Sequence, residues 1–380
     1  MRLNITAFFT YYFIKDKTLE VDYFLIFTLC IISLQFLIFV FTKTLSWLYV
    51  KNSTLSYRLF VASLYISINS IFLLTVFHIY PMFRIGAFIL VILLFSSFSS
   101  LLCSVVYLLL KKTKYGIKSY NILTWLYPVG LCSIIGTSVY NAYTPVVIHY
   151  EIEIDKPLSP LRIGMASDLH LGRLFGCTQL DKLSHIMNKE NVDIILLPGD
   201  IMDDNIDSYI AENMSSHLSK LKAPLGVYAT LGNHDFLGKE QEISQELRKV
   251  GIRVLMDNIA NINNRFILIG RNDKLFQKRL KTAQLLETVN TNLPIFLLDH
   301  RPNEILEHSF LPIDIQVSGH AHKGQIFPGN IITKLLYDLD YGYKKIGKGH
   351  FFVTSGYGFW GVPMRLGSQS EVFIIDVKGK

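Results

Sequence analysis

The sequence predicts a membrane-embedded, all-helical N-terminal half followed by a layered α/β domain. The first 150 residues contain long apolar runs, with 11 of the 37 Lys and Arg residues but only 3 of the 30 Asp and Glu residues. Later residues alternate between short apolar runs and polar amphipathic stretches, a pattern of strands alternating with helices. Pro157 and Pro160 follow a strand-like stretch at residues 146–154 and mark the junction. We therefore place a transmembrane domain at residues 1–145 and a second domain at residues 146–380.

Four apolar runs define the N-terminal half. Each is about 20 residues long or slightly longer and contains no Asp, Glu, Lys or Arg. A run of this length spans the hydrocarbon core of a bilayer as an α-helix. Helices of soluble proteins with this length normally show a polar face, which these runs lack. The runs predict transmembrane helices at about residues 23–41, 59–77, 86–110 and 121–140.

The basic residues of the short loops predict the orientation of these helices, because such residues tend to stay in the cytoplasm. Seven basic residues fall on one side of the membrane: Lys43, Lys51, Arg58, Lys111, Lys112, Lys114 and Lys118. Four fall on the other side: Arg2, Lys15, Lys17 and Arg84. The imbalance predicts an integral membrane protein whose N-terminus and second domain lie outside the cytoplasm.

Charge and cysteine content exclude several classes of protein. The net charge of +7 belongs to the membrane half, because residues 151–380 hold 26 Lys and Arg against 27 Asp and Glu. A nucleic-acid partner would need a basic surface on the second domain, so none is expected and a nuclease is a minor alternative. Three of the four cysteines lie in apolar stretches, which leaves no disulfide framework and no zinc-binding spacing. No feature of the sequence predicts an oligomeric state.

Polar residues follow the predicted strands of the second domain, at the points where these strands end. Strands are predicted at residues 161–167, 193–198, 227–231, 294–298 and 315–318. They lead into Asp168-Leu169-His170, Gly199-Asp200, Gly232-Asn233-His234-Asp235, Asp299-His300 and Gly319-His320-Ala321-His322. Loops at strand ends hold functional groups on a rigid support. We expect the five loops to converge on one site.

The side chains in these loops indicate a metal centre. Imidazoles, carboxylates and an amide without thiolates suit manganese, iron or zinc at a hydrolytic centre better than a structural zinc. Asp168 and His170 are two residues apart, as are His320 and His322. Side chains with this spacing point the same way at an extended strand end, so each pair can serve one centre.

In order and content, the five loops resemble the motifs of the calcineurin-like metallophosphoesterase superfamily. Those motifs run Asp-x-His, Gly-Asp, Gly-Asn-His-Asp/Glu, His and Gly-His-x-His, and all five occur in this order within residues 161–322. The strings Ser167-Asp-Leu-His-Leu-Gly172 and Ser318-Gly-His-Ala-His322 look most like a bacterial branch with N-terminal membrane helices or export signals. The resemblance implies a sandwich of two β-sheets flanked by helices, in a bacterial inner or cell membrane.

The resemblance also implies roles for individual residues. Two divalent metal ions would be bound by two groups of three ligands that share a bridging carboxylate. One group is Asp168, His170 and His322, the other is Asn233, His300 and His320, and Asp200 lies between them. His234 would be the catalytic histidine that protonates the leaving oxygen. Asp235 would orient His234, as carboxylates often do for imidazoles. Manganese is favoured over iron and zinc.

Two basic residues near the motifs are candidates for binding an anionic substrate. Arg173 lies just past the first motif, and Lys323 stands after the last motif histidine, where many relatives have glycine. Each also has a simpler interpretation as a side chain that faces solvent.

These residues predict hydrolysis of a phosphoester or pyrophosphate bond by metal-activated water. Attachment to a bilayer makes lipid-linked molecules, such as an acylated sugar nucleotide or a prenyl pyrophosphate, candidate substrates besides phosphorylated small molecules. The alternative is a membrane sensor or transporter that uses a degenerate domain to bind a phosphate ligand. The filled ligand positions count against degeneracy, and the helices lack the intramembrane charges that transport usually needs.

Overall fold

The computed structural model describes residues 23–50, 54–76, 82–113, 116–203 and 205–380. These residues fall into two compact units, Met1–Thr137 and Ser138–Lys380. The division lies inside the fourth helix, whereas the sequence places the domain boundary at residues 145 and 146. That boundary stays a prediction, and the first 22 residues lie outside the described ranges.

The described residues of the first unit form four long helices, as the sequence predicts. They are α1 (Tyr23–Tyr49), α2 (Leu55–Val76), α3 (Phe83–Leu110) and α4 (Gly116–Tyr143), whose last residues belong to the second unit. Each is long and apolar enough to cross a membrane. Helix α1 continues past residue 41, where the hydroxyls of Thr42 and Thr44 donate to the carbonyls of Ile38 and Val40 one turn earlier. Their polar groups are thus satisfied within the helix.

Polar side chains of these helices face one another. Gln35 donates a 2.7 Å hydrogen bond to Asn69 between α1 and α2. The hydroxyls of Ser96 and Tyr127 lie 2.6 Å apart between α3 and α4. Apolar side chains such as that of Trp125 point outward and are exposed. Polar groups inside and apolar groups outside form the arrangement that hydrocarbon requires.

The second unit contains two six-stranded sheets. The first consists of β1 (Val146–Ile154), β2 (Leu161–Met165), β3 (Ile194–Pro198), β4 (Val227–Thr230), β5 (Ile252–Val254) and β12 (Glu371–Gly379). The second consists of β6 (Asn258–Ile262), β7 (Phe266–Gly270), β8 (Ile295–Leu298), β9 (Ile315–Ser318), β10 (Gly342–Ile346) and β11 (Gly349–Val353). The strand orders are β1-β12-β2-β3-β4-β5 and β10-β11-β9-β8-β7-β6. Both sheets are mixed, with a parallel centre.

Alternation along the strands explains how the layers pack. On β3, Ile194 and Leu196 belong to the core that also contains Phe296 of the other sheet. Their neighbours Ile195 and Leu197 belong to the core under the flanking helices. A strand buried on both faces reads as a continuous apolar run, as β3 does. The predicted architecture of two sheets flanked by helices is confirmed.

The helices of the second unit are short. They are α5 (Cys177–Lys189), α6 (Asp207–Ala211), α7 (Ser215–Leu218), α8 (Glu240–Lys249), α9 (Thr282–Leu286), α10 (Ile305–His308) and α11 (Gly329–Leu336). The sequence predicts one helix over residues 207–220, but Asn213 adopts a left-handed conformation with φ of 51° and separates α6 from α7. A helix predicted over residues 275–288 is confined to α9. The chain is not helical before α9, and in that part the guanidinium of Arg279 donates to Asp299.

Candidate metal centre

The motif loops follow the carboxyl ends of parallel strands and are joined by backbone hydrogen bonds. Asp168 follows β2, and its N–H donates to the carbonyl of Gly199 after β3 at 3.0 Å. The N–H of His170 donates to the carbonyl of Asp200 at 3.1 Å. On the other sheet, the N–H of Gly319 donates to the carbonyl of His300 at 2.9 Å. The loops therefore have fixed positions relative to one another.

Most of the predicted ligands share an unusual backbone conformation. Five predicted ligands have a positive φ: Asp168 at 54°, His170 at 44°, Asp200 at 50°, His320 at 69° and His322 at 48°. Residues other than glycine seldom adopt this conformation, which costs about 1–3 kcal/mol each. Such strain persists only where the surrounding structure imposes it, and it clusters at functional sites.

Three predicted ligands form the first group of donors. The Nε2 atoms of His170 and His322 lie 3.2 Å apart, and Nε2 of His322 lies 3.4 Å from Oδ1 of Asp168. All three side chains are buried, and the donor atoms lie within 4.8 Å of one another. The backbone N–H of His320 donates to the carboxylate of Asp168, which fixes its orientation.

A second group contains Asp200, His300 and His320, whose donor atoms also lie within 4.8 Å of one another. Nδ1 of His300 lies 2.8 Å from the carbonyl of Pro198, which can only accept, so Nδ1 carries the proton and Nε2 is turned inward. This Nε2 lies 3.1 Å from Oδ2 of Asp200. The same Oδ2 lies 3.8 Å from Nε2 of His170. The Asp200 carboxylate therefore lies between the two groups.

Buried polar atoms without a hydrogen-bond partner show that the donor set fits metal ions. Among the described residues, the buried Oδ1 of Asn233 has no hydrogen-bond partner. Nε2 of His300 is also buried, and it faces Oδ2 of Asp200 at 3.1 Å, a carboxylate of its own donor group. Leaving such atoms unpaired is unfavourable, and each exception calls for an unseen partner. Amide oxygen, imidazole nitrogen and carboxylate oxygen are all ligands of hydrolytic divalent metals.

Burial controls the charge state of the donors. It lowers the pKa of His170 to about 3 and holds the pKa of His322 well below its usual value, so both imidazoles are neutral. Burial also raises the pKa of Asp168 to about 6, against the opposing charge of His300. At His300 burial favours the neutral form, but the carboxylate of Asp200 outweighs it and raises the pKa to about 10. A bound cation would replace the proton that His300 otherwise holds.

His234 lies at the edge of the first group. Its ring is 4.9 Å from the ring of His170 and 5.8 Å from that of Trp360, measured between centroids. Its backbone N–H donates to Oδ1 of Asp200 at 2.9 Å. Asp200, a member of the second donor group, is thus hydrogen-bonded directly to the backbone of the predicted catalytic histidine.

Asp235 occupies a different position from the one expected of an orienting carboxylate. Its oxygens accept hydrogen bonds from the backbone N–H groups of Gly232, Ile201 and Met202 at 2.9–3.1 Å. Burial raises the pKa of this carboxyl to about 7. These contacts tie the loop after β4 to the loop after β3. Its predicted action on His234 stays a prediction.

The two predicted substrate-binding residues lie farther from the donors. Arg173 is exposed in the loop that follows His170, and within the described ranges no contact joins it to the cluster. The ammonium of Lys323 lies 3.9 Å from the centroid of the Tyr341 ring. This cation–π contact is an interaction that the sequence does not indicate.

Sequence reasoning missed Arg365, which is fully buried beside the first group. Its Nη2 lies 3.3 Å from Nδ1 of His322 and donates to the carbonyls of Ser355 and Gly358 at 2.7 and 2.5 Å. Arg365 therefore holds the loop after β11 against His322. The surrounding sequence, Pro-Met-Arg-Leu-Gly, contains no motif that would have revealed this role.

Arg301 was also missed, although it directly follows the predicted ligand His300. Its guanidinium makes a bidentate contact with the buried Asp273 at 2.6 and 3.0 Å. The positive charge of Arg301 contributes to the low pKa of His320, after burial. Its position next to His300 in the sequence could have indicated that Arg301 lies close to the metal centre.

Another group of acidic and imidazole side chains, Asp299, Glu304 and His308, does not fit a metal. Nη1 of Arg271 lies 2.9, 2.6 and 3.2 Å from their respective donor atoms. The guanidinium therefore occupies the position that a cation would take. This network supports the backbone immediately before His300.

The fold and the donor set define a metal-dependent phosphoesterase domain, and comparisons with known proteins agree. The profile of the calcineurin-like phosphoesterase family matches residues 161–324. An uncharacterized metallophosphoesterase of Aquifex aeolicus is 33% identical over 240 residues, which are 61% of this chain and 91% of that protein. The chain belongs to the calcineurin-like phosphoesterase family, which typically binds two divalent metals.

Two further relatives match more than half of this chain, and one of them is described as a transmembrane protein. An uncharacterized metallophosphoesterase of Campylobacter jejuni is 32% identical over 278 residues, 69% of this chain and 73% of that protein. A transmembrane protein with metallophosphoesterase domain from Danio rerio is 29% identical over 259 residues, 63% of this chain and 59% of that protein. Together with the four candidate spans, the similarity to the Danio rerio protein indicates a membrane protein.

Proposed function

We propose that the protein is a membrane-anchored phosphohydrolase that uses two divalent metal ions to cleave a phosphoester or pyrophosphate bond. The observation that carries this proposal is the position of the Asp200 carboxylate. Its Oδ2 lies 3.1 Å from Nε2 of His300 and 3.8 Å from Nε2 of His170. One carboxylate between two groups of buried donors is the arrangement that a bridged pair of cations needs.

The proposed ligands are the seven predicted from the sequence. Asp168, His170 and His322 would hold one ion, Asn233, His300 and His320 would hold the other, and Asp200 would bridge them. The unpaired Oδ1 of Asn233 and the inward-facing Nε2 of His300, which lies 3.1 Å from Asp200, support the second set. Neutral imidazoles support the first, since His170 and His322 must offer lone pairs to a cation. Manganese is favoured, with iron and zinc as the other candidates.

In this mechanism, the bound ions supply a lowered pKa for water and neutralise charge on the phosphoryl oxygens. His234 would give a proton to the leaving oxygen. Its backbone N–H donates to Asp200, so its side chain is held beside the reacting group. The ring of Trp360 lies 5.8 Å from the ring of His234. Asp235 would keep the loops of Asp200 and His234 in register through its three backbone contacts.

The cationic side chains near the centre would bind the anionic substrate. Arg301 follows His300 directly, and its Nε and Nη2 atoms donate to Asp273. Arg173 and Lys323 are the other candidates, and Lys323 would first have to leave the ring of Tyr341. We therefore expect substrate binding to depend on Arg301 more than on Lys323.

Hydrolysis of bis(p-nitrophenyl) phosphate by the full-length protein with added Mn²⁺ tests the proposal. Wild type should turn over, and the His234→Ala and Asp200→Ala variants should each lose at least about 100-fold in kcat. Absence of turnover in wild type, or turnover that ignores both substitutions, would favour a binding module. Reporter fusions to the C-terminus test the proposed extracytoplasmic position, which predicts activity of a reporter that functions only outside the cytoplasm.

A further inference from the structure

Helix α11 (Gly329–Leu336) exposes nearly all of its apolar side chains. Ile331 and Ile332 are 50% and 56% exposed, and Leu335 and Leu336 are 82% and 65% exposed. None of the eight residues is buried. Contiguous apolar side chains on a helix surface usually mark a contact with another apolar molecule.

Both ends of α11 are tied to the candidate metal centre. At its start, Gly329 and Asn330 pack so closely on Gly324 that a side chain at Gly324 would overlap their backbone. Gly324 is two residues past His322. After the last turn, the ring of Tyr337 lies edge-on to the ring of His320, with 6.4 Å between centroids. An eight-residue helix is only about 12 Å long, so the whole of α11 lies within that distance of these two contacts.

Another exposed apolar side chain, that of Trp360, lies next to the predicted catalytic histidine and is joined to the segment before α11. Gln325, just before α11, exchanges two 3.0 Å hydrogen bonds with the backbone of Trp360. Trp360 is 36% exposed, and its ring lies 5.8 Å from the ring of His234. We call this surface the apolar rim, and it consists of Phe327, Ile331, Ile332, Leu335, Leu336 and Trp360.

We propose that the apolar rim binds the hydrocarbon chain of the substrate, which is therefore a phosphorylated lipid. This inference rests on the proposed function, because it places the phosphoryl group at the donors and the chain on α11. An amphiphile matches the polarity of the two adjoining surfaces. The four candidate membrane spans keep the protein in the phase where such molecules are concentrated. A protein partner on α11 would instead cover the approach to His320 and His234, which argues against a second copy as the occupant.

The test uses alkyl p-nitrophenyl phosphates whose alkyl group ranges from methyl to octyl, at concentrations below micelle formation. These diesters share one leaving group, so the bond that breaks is the same in each. The full-length protein is assayed with Mn²⁺ in detergent. For wild type, we expect kcat/KM to rise at least about tenfold from methyl to octyl, mainly through KM, because each added methylene buries apolar surface.

The double variant Ile332→Asn/Leu335→Asn should reduce the octyl-to-methyl ratio to about 2 or less. Phe310→Asn is the matched control, since Phe310 is 89% exposed but lies outside the rim, and it should keep the wild-type ratio. Because each ratio is taken within one preparation, a partly unfolded variant does not change it. This readout therefore separates chain binding from loss of folding.

Other outcomes overturn the proposal. Equal kcat/KM for methyl and octyl esters in wild type would refute chain binding while leaving the phosphohydrolase intact. A rise with chain length that the double variant retains would place the chain elsewhere. An effect of the double variant seen only with substrates in vesicles would indicate that the rim contacts the bilayer itself. If wild type cleaves none of the esters, the proposed function fails and the inference with it.

Discussion

Substitution of Gly199 by alanine tests whether the loop after β3 is held as tightly as the structure indicates. Gly199 has φ of 91°, and a Cβ there would lie 2.7 Å from Nδ1 of His300 and 2.8 Å from the N of Gly232. Gly238 is a matched control with φ of 85°, but a Cβ there meets nothing within 4 Å. The two substitutions share backbone strain and differ in steric overlap.

The expected magnitudes follow from these contacts. Alanine in the left-handed region costs about 1–2 kcal/mol, which is the whole effect expected for Gly238→Ala. Overlap with backbone and with a buried ring adds about 1–3 kcal/mol for Gly199→Ala, as overpacking does elsewhere. For a unit of this size, about 1 kcal/mol shifts Tm by about 2–4 °C. We expect Tm to fall by about 2–8 °C for Gly238→Ala and by about 4–20 °C for Gly199→Ala, with the larger fall always in Gly199→Ala.

Thermal unfolding of the purified full-length variants, followed by tryptophan fluorescence in detergent, measures both shifts. Hydrolysis of bis(p-nitrophenyl) phosphate provides a second readout, since displacement of His300 should lower kcat only in Gly199→Ala. Equal Tm shifts with equal activities would refute the reasoning, because they would show that the loop yields without disturbing His300.

Three further substitutions test the surroundings of the centre. Arg365→Met should lower the free energy of unfolding by about 3–5 kcal/mol, because the buried carbonyls of Ser355 and Gly358 lose a charged donor; an unchanged Tm would contradict this. Asp235→Asn should lower both Tm and kcat, since an amide group would face backbone N–H donors; wild-type activity would rule out the role in loop registration. Burial opposes the charge of Glu304, but its hydrogen bond with His308 and the charges of Arg271 and Arg279 lower its pKa below 4.5. The contribution of the Glu304 carboxylate to stability is therefore complete above about pH 4.5 and is lost progressively as the pH falls below that value. The difference in Tm between wild type and Glu304→Gln should shrink from about pH 6 to about pH 3. A constant difference would exclude the ion pairs as its cause.

Much of the fold was predictable because its signals are local. Apolar runs without charges predict the four helices, and the continuous apolar strand at residues 194–198 predicts a strand buried on both faces. The break at Asn213 was not predictable, because the residues on both sides suit a helix and only the left-handed conformation of Asn213 separates α6 from α7. Short edge strands such as β5 and β10 depend on pairing with a neighbour, which periodicity alone does not reveal.

The convergence of the motif loops was predictable for a different reason. Carboxyl ends of parallel strands meet at one edge of a sheet, so the order of the motifs already places Asp168 and Asp200 together. Contacts made by residues outside the motifs were not predictable. Arg365 reaches His322 from a loop more than 40 positions away along the chain, and Lys323 lies against Tyr341 instead of solvent. Such contacts depend on tertiary packing, which carries no mark in the local sequence.

The central claim is that two metal ions bridged by Asp200 make this chain a phosphohydrolase. Titration of the metal-free, full-length protein with Mn²⁺, while hydrolysis of bis(p-nitrophenyl) phosphate is followed, tests that claim most directly. The account predicts that activity rises until about two equivalents per chain are bound and that the Asp200→Asn variant shows no such rise. Full activity at about one equivalent, or two bound equivalents without hydrolysis, would contradict it.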